Sequence, residues 1–168
     1  MKLKLLLATL LYTSISFSQV PNYVPTNGLV GWWSFNGDAN DDSGNGNDGT
    51  VNGCILTSDM HSNANSAYYF DGTSFIALQS SGSIDFTGGY TFSCWFKPTA
   101  VKMASLVDKF AGVNANCNNE NGFRINIRSN GDISSSTGCY GSGTGTTYAP
   151  TNYQLSQWYH CVGTIDTD

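Results

Sequence analysis

Acidic and amide oxygens are the most concentrated chemical groups in this 168-residue chain, which carries 12 acidic residues of which only Glu120 is a glutamate. In the loop from Asp38 to Asp48, Asp38, Asn40 and Asp42 alternate. Calcium takes carboxylate, amide and backbone oxygens, so this loop is a candidate calcium site with Asp38 and Asp42 as donors. Ser43 stands where an EF-hand has glycine and Gly49 where it has a bidentate glutamate, so the loop is not an EF-hand. The same residues equally suit Asx turns, in which a side chain holds its own backbone. Both readings are open. Asp71 and the stretch Asn119-Glu120-Asn121 add further donors, which brings Asp71, Glu120 and Asn121 into the candidate set.

Carboxylates paired for catalysis are a different matter. Glycoside hydrolysis needs two acids flanking the bond, and the single glutamate sits in a loop while no strand carries two inward acids. Gly-x-Ser-x-Gly, His-Glu-x-x-His and phosphate-loop patterns are all missing from the sequence. The expectation is a protein without catalysis of its own. His160, beside Cys161, reads as a packed strand histidine rather than a catalytic group, and His61 sits in a polar loop without an evident partner. Trp32, Trp95 and Trp158 are candidates for a sugar-stacking platform. Trp95, on the face opposite Cys94, is the candidate ligand contact, whereas Trp33 and Phe35 are assigned to the core.

Strands must position these groups. Tyr90, Phe92, Cys94 and Phe96 alternate with Thr91, Ser93, Trp95 and Lys97, the pattern of a half-buried strand that Pro98 closes. Leu29 to Phe35, Ala67 to Phe70, Phe75 to Leu78, Phe123 to Ile127 and Trp158 to Ile165 read as further strands, with another short one beginning at Leu106 and Val107. Asn36 to Gly53 is dense in turn residues. Asn130-Gly131 is a two-residue hairpin turn with Asp132 to Ser134 returning. Ser134 to Thr147, rich in serine, threonine and glycine, reads as a long loop. Helical periodicity is not sustained over three turns in any segment. Short strands and frequent turns predict an all-β antiparallel sandwich.

The beginning of the chain looks like an export signal. Met1-Lys2-Leu3-Lys4 is basic, Leu5 to Phe17 is apolar but too short to span a bilayer, and Ser16-Phe17-Ser18 suits cleavage before Gln19. The expected organisation is a signal peptide at 1–18, a lead-in at 19–27 and one domain at 28–168, with no transmembrane segment in the mature chain and a secreted or cell-surface location. The formal net charge is −5, and loss of Lys2 and Lys4 makes it more negative. Such a surface repels phosphate backbones, which argues against nucleic acid as a partner. In an exported protein, disulfides are the default state of cysteines. Five cysteines are an odd number. Cys117 and Cys139 flank the Asn130-Gly131 hairpin and are a candidate pair; Cys54 is left over.

Four segments in order resemble one family. These are Leu29-Val30-Gly31-Trp32-Trp33-Ser34-Phe35-Asn36-Gly37 with Asp42-Ser43-Gly44-Asn45-Gly46, then Tyr69-Phe70-Asp71-Gly72, then Tyr90 to Pro98, then Trp158 to Asp166. Together they resemble the laminin-G-like and pentraxin-type concanavalin A-like jellyroll common in surface proteins of gliding bacteria. The resemblance implies a Cys94–Cys161 disulfide. It also implies that the family's closing strands are absent here, which makes the chain a C-terminally incomplete jellyroll. Glucanases of similar fold carry Glu-x-Asp-x-x-Glu on one strand, and this chain lacks it. The expected function is a binding module for glycans or extracellular proteins, in adhesion or polysaccharide capture. The other reading is an accessory carbohydrate-binding domain of a larger exported glycoside hydrolase.

Overall fold

The structure, a computed structural model, describes residues 19–78, 84, 89–109, 122–139, 142–150 and 152–165. The signal-peptide segment, Cys117, Glu120 and Asn121 lie outside them. Ten strands and no α-helix occur among the described residues. They are β1 (Gly49–Asn52), β2 (Ile55–Thr57), β3 (Ala67–Tyr69), β4 (Phe75–Leu78), β5 (Tyr90–Phe96), β6 (Ala104–Lys109), β7 (Phe123–Ile127), β8 (Asp132–Cys139), β9 (Ser142–Pro150) and β10 (Tyr159–Ile165). Every pairing is antiparallel: β1 with β4, β2 with β3, β10 with β5, and a four-stranded meander β6-β7-β8-β9.

Two of these sheets face each other and make the core. Along β5 the residues alternate between exposed and inward, as a strand with one wet face must. Along β7, Phe123, Ile125 and Ile127 are buried while Arg124 and Asn126 turn away. Phe92 stacks on Phe123 with ring centroids 4.3 Å apart, and Tyr90 packs against the same ring at 5.3 Å. Phe96, Ile125, Ile127 and Cys161 form the buried cluster, with Cys94, Leu106, Ile133, Tyr153 and Tyr159 packed around it. This is the sandwich that the alternation predicted. Gly163 matters here: an added Cβ would lie 2.9 Å from Ile125 Cδ1, so the absence of a side chain makes room for the isoleucine.

Two expectations are corrected. Ser134 to Thr147 is not a long loop. Most of it belongs to β8 and β9, which pair from Asp132↔Pro150 to Cys139↔Ser142. Serine and threonine tolerate a strand without advertising it, because their alternation carries no apolar signal. Leu29 to Phe35, in contrast, is in no sheet. Much of its backbone bonding comes from side chains instead, beside the Asp42 N–H donated to the Trp32 carbonyl at 2.8 Å. The Trp32 N–H donates to Asp41 Oδ1 at 2.9 Å, Asn47 Nδ2 donates to the Val30 carbonyl at 2.8 Å, and Asn45 Nδ2 donates to the Leu29 carbonyl at 2.7 Å. Polar side chains that reach nearby backbone compete with ladder formation, and here they win. The turn-dense stretch from Asn36 to Gly53 also contains β1.

Candidate binding face

The loop from Asp38 to Asp48 is a hydrogen-bonded clamp. Asp41 is its centre: the carboxylate accepts the N–H groups of Trp32, Ser43 and Asn47 at 2.9 to 3.0 Å. Burial alone would raise its pKa, but hydrogen bonds, from the Ser43 side chain first and then from these N–H groups, outweigh burial and hold the carboxyl below the usual carboxylate range. Asn47 is buried as well, and its carbonyl accepts the indole N–H of Trp33 at 2.9 Å. Neither Asp41 nor Asn47 stood out in the sequence.

The candidate calcium donors are each engaged separately. Asp38 holds Asn40 through both carboxylate oxygens at 3.0 Å. Asp42 accepts the Ser34 hydroxyl at 2.7 Å. Asp71 accepts the Thr73 N–H, the Ser74 N–H and the Thr73 hydroxyl, and these bonds, the Thr73 N–H first, pull its pKa well down. Among the described residues no three His, Cys, Asp or Glu side chains are grouped to hold a metal ion. Asp38 and Asp71 each accept the N–H two residues on, the geometry of an Asx turn.

Cys94 and Cys161 lie directly opposite each other in the β5–β10 register. Opposed residues of an antiparallel pair have Cα atoms about 4.5–5.5 Å apart, within the range a disulfide spans. Both are free thiols in this structure, as is the buried Cys54. Burial, helped by the neighbouring Cys161, pushes the Cys94 thiol up to about 11, and burial raises Cys161 too. Neutral thiols of this kind react slowly. The side chain of Cys139 and all of Cys117 lie outside the described residues, so the Cys117–Cys139 pairing does too.

On the other side of the same two strands is an exposed ladder of cross-strand pairs. Trp95 opposes His160 in register, and the rings stack at 4.8 Å with 25° between their planes. Trp95 remains 52% exposed. His160 Nε2 shares a hydrogen bond with Ser93 Oγ at 2.7 Å. Thr91 opposes Thr164, with the hydroxyls 3.2 Å apart. One step beyond the paired register, Lys97 Nζ sits 5.2 Å from the Trp158 ring centroid. The structure thus places Trp95 on the outer face as expected. Trp158 flanks the ladder, while Trp32 belongs to the clamp. His160 is not packed in the interior beside its neighbouring cysteine; it points outward against Trp95.

A laminin-G-type family model, described as the concanavalin A-like lectin/glucanases superfamily, matches residues 70–168. The chain belongs to that superfamily. The match takes in β4 to β10, including both strands of the ladder, and the clamp lies before it. No curated protein and no solved structure matches the chain. Laminin-G-like domains of this superfamily commonly bind carbohydrates or proteins and are typically binding modules. Among the described residues no helix is long and apolar enough to cross a membrane.

Proposed function

We propose that this protein is a secreted or cell-surface binding module that recognises glycans or extracellular proteins, in adhesion or polysaccharide capture. The observation that carries the reading is the exposed Trp95–His160 stack on the β5–β10 strand pair of a lectin-type sandwich. An indole with half its surface in water offers a flat apolar face at little entropic cost, and neighbouring hydroxyls offer hydrogen bonds. β5 and β10 carry no acidic residue, so paired-carboxylate hydrolysis has no footing on this face. A second reading, an accessory carbohydrate-binding domain of a larger exported glycoside hydrolase, is favoured by the glucanase membership of the superfamily. It uses the same face.

In the exported protein we take Cys94 and Cys161 to be joined, as their opposed register permits. The loop they close favours folding by about 4 kcal/mol in the chain-entropy picture. Intact mass with and without a thiol-alkylating reagent reads this directly. We also propose that calcium binds through donors drawn from Asp38, Asp42, Asp71, Glu120 and Asn121, and titration calorimetry with calcium chloride tests it. The function itself is tested by a glycan array and a panel of extracellular proteins, probed with the wild type and Trp95→Ala. Binding lost in the variant is the expected result. Binding that survives Trp95→Ala unchanged moves the site away from this face.

A further inference from the structure

We propose that the outer face of β5 and β10 selects an anionic saccharide, one whose pyranose rings carry carboxylate or sulfate groups. The inference rests on the binding-module reading and gives it a substrate class. Its basis is the charge on the ladder. The chain as a whole has 12 acidic residues against 7 lysines and arginines. The outward positions of this strand pair reverse that balance. Lys97 stands there, one residue past the end of β5, and neither strand holds an aspartate or glutamate.

The placement of these groups suits a substituted sugar. The indole of Trp95 gives a surface against which the apolar face of a pyranose packs. Ser93, already bonded to His160, keeps a further lone pair or proton for a ring hydroxyl, and Thr91 and Thr164 extend the hydroxyl row. Lys97, held over Trp158, fixes an ammonium at the end of the row. A carboxylate or sulfate one ring away from the stacked sugar meets that charge. The rest of the acidic surface does not cancel the attraction. At physiological salt the screening length is about 8 Å, so distant acids are damped while a contact pair is not. Nucleic acid fits less well, because its unbroken run of phosphates must also cross the acidic remainder of the molecule.

The test is titration calorimetry of the full exported chain against three probes: an oligogalacturonide for carboxylate, a sulfated galactan oligosaccharide for sulfate, and a neutral galactan oligosaccharide. At least one anionic probe should bind about tenfold more tightly than the neutral one, and added salt should erode the difference. Lys97→Gln should weaken that probe by about two- to fivefold, the size of an exposed ion pair, and so narrow the anionic preference over the neutral probe. Trp95→Ala should weaken all probes about tenfold with an unchanged circular dichroism spectrum. Which anionic probe prevails identifies the substituent. Equal affinity for neutral and anionic probes, or an anionic preference untouched by Lys97→Gln, overturns the proposal while leaving a glycan-binding module in place. Binding to none of the three overturns it as well, and the module reading is then decided by the protein panel.

Discussion

The clamp around Asp41 and the sandwich around Phe123 solve the same problem by opposite means. Both must give every buried backbone group a partner. The sandwich does so with ladders, and its stability comes from the apolar surface pressed between them. The clamp has few ladder bonds, and carboxylates and amides take the place of a neighbouring strand. The apolar consequences differ accordingly. Phe123 is 2% exposed, whereas Ile55, Phe70 and Phe75, in the N-terminal region, are each more than two-fifths exposed. One region is held mainly by burial. The other depends on a carboxylate that acid can protonate.

The largest expected effect separates the two regions by size. Phe123→Ala removes the ring that Phe92 and Tyr90 pack on, and should cost about 3–5 kcal/mol by urea denaturation. Asp41→Ala leaves the Trp32, Ser43 and Asn47 N–H groups without their acceptor. It should cost about 1–3 kcal/mol, by the same measurement.

Acid should then separate the regions by mechanism. The Asp41 pKa is depressed in the folded state, so its contribution is complete above about pH 4 and is lost as pH falls through the folded value. The stability gap between the wild type and Asp41→Asn should therefore narrow steadily in urea titrations below about pH 4. The gap for Phe123→Ala should stay constant over the same range. A parallel fall in both would mean that the clamp and the sandwich unfold as one acid-sensitive unit. Smallest of all is the outward ion pair between Arg124 and Asp108, at 2.8 Å and partly exposed. Asp108→Ala should shift stability by no more than about 1 kcal/mol, fading in high salt.

How much of this could be read in advance follows from the same contrast. β4, β5 and β7 begin and end where their residue patterns place them, and β10 differs by Trp158 alone. Burial writes alternation into a sequence, and alternation is legible. β9 is silent in the sequence because Ser142 to Pro150 has too few apolar residues to alternate; its pairing with β8 reveals it. The clamp looks like a strand followed by a loop in the sequence because its bonds join residues 9 to 17 positions apart, through side chains that mark no period. The alternation of β5 marks Trp95 as outward but does not name its partner. The signal was present: once Cys94 is set opposite Cys161, counting along both strands puts Trp95 opposite His160 and Thr91 opposite Thr164.

Gly163 carries a consequence for how such a domain can change over time. Its missing side chain is the socket that Ile125 fills across the two sheets, so the volumes at the two positions are shared. Among descendants of this sequence, a larger residue at 163 should be tolerated chiefly where 125 has already shrunk. Gly163→Ala alone should destabilise by about 1–3 kcal/mol as an overpacked core. In the background of Ile125→Val the same change should cost less, so the order in which the two substitutions arise decides whether a lineage passes through a weakened protein.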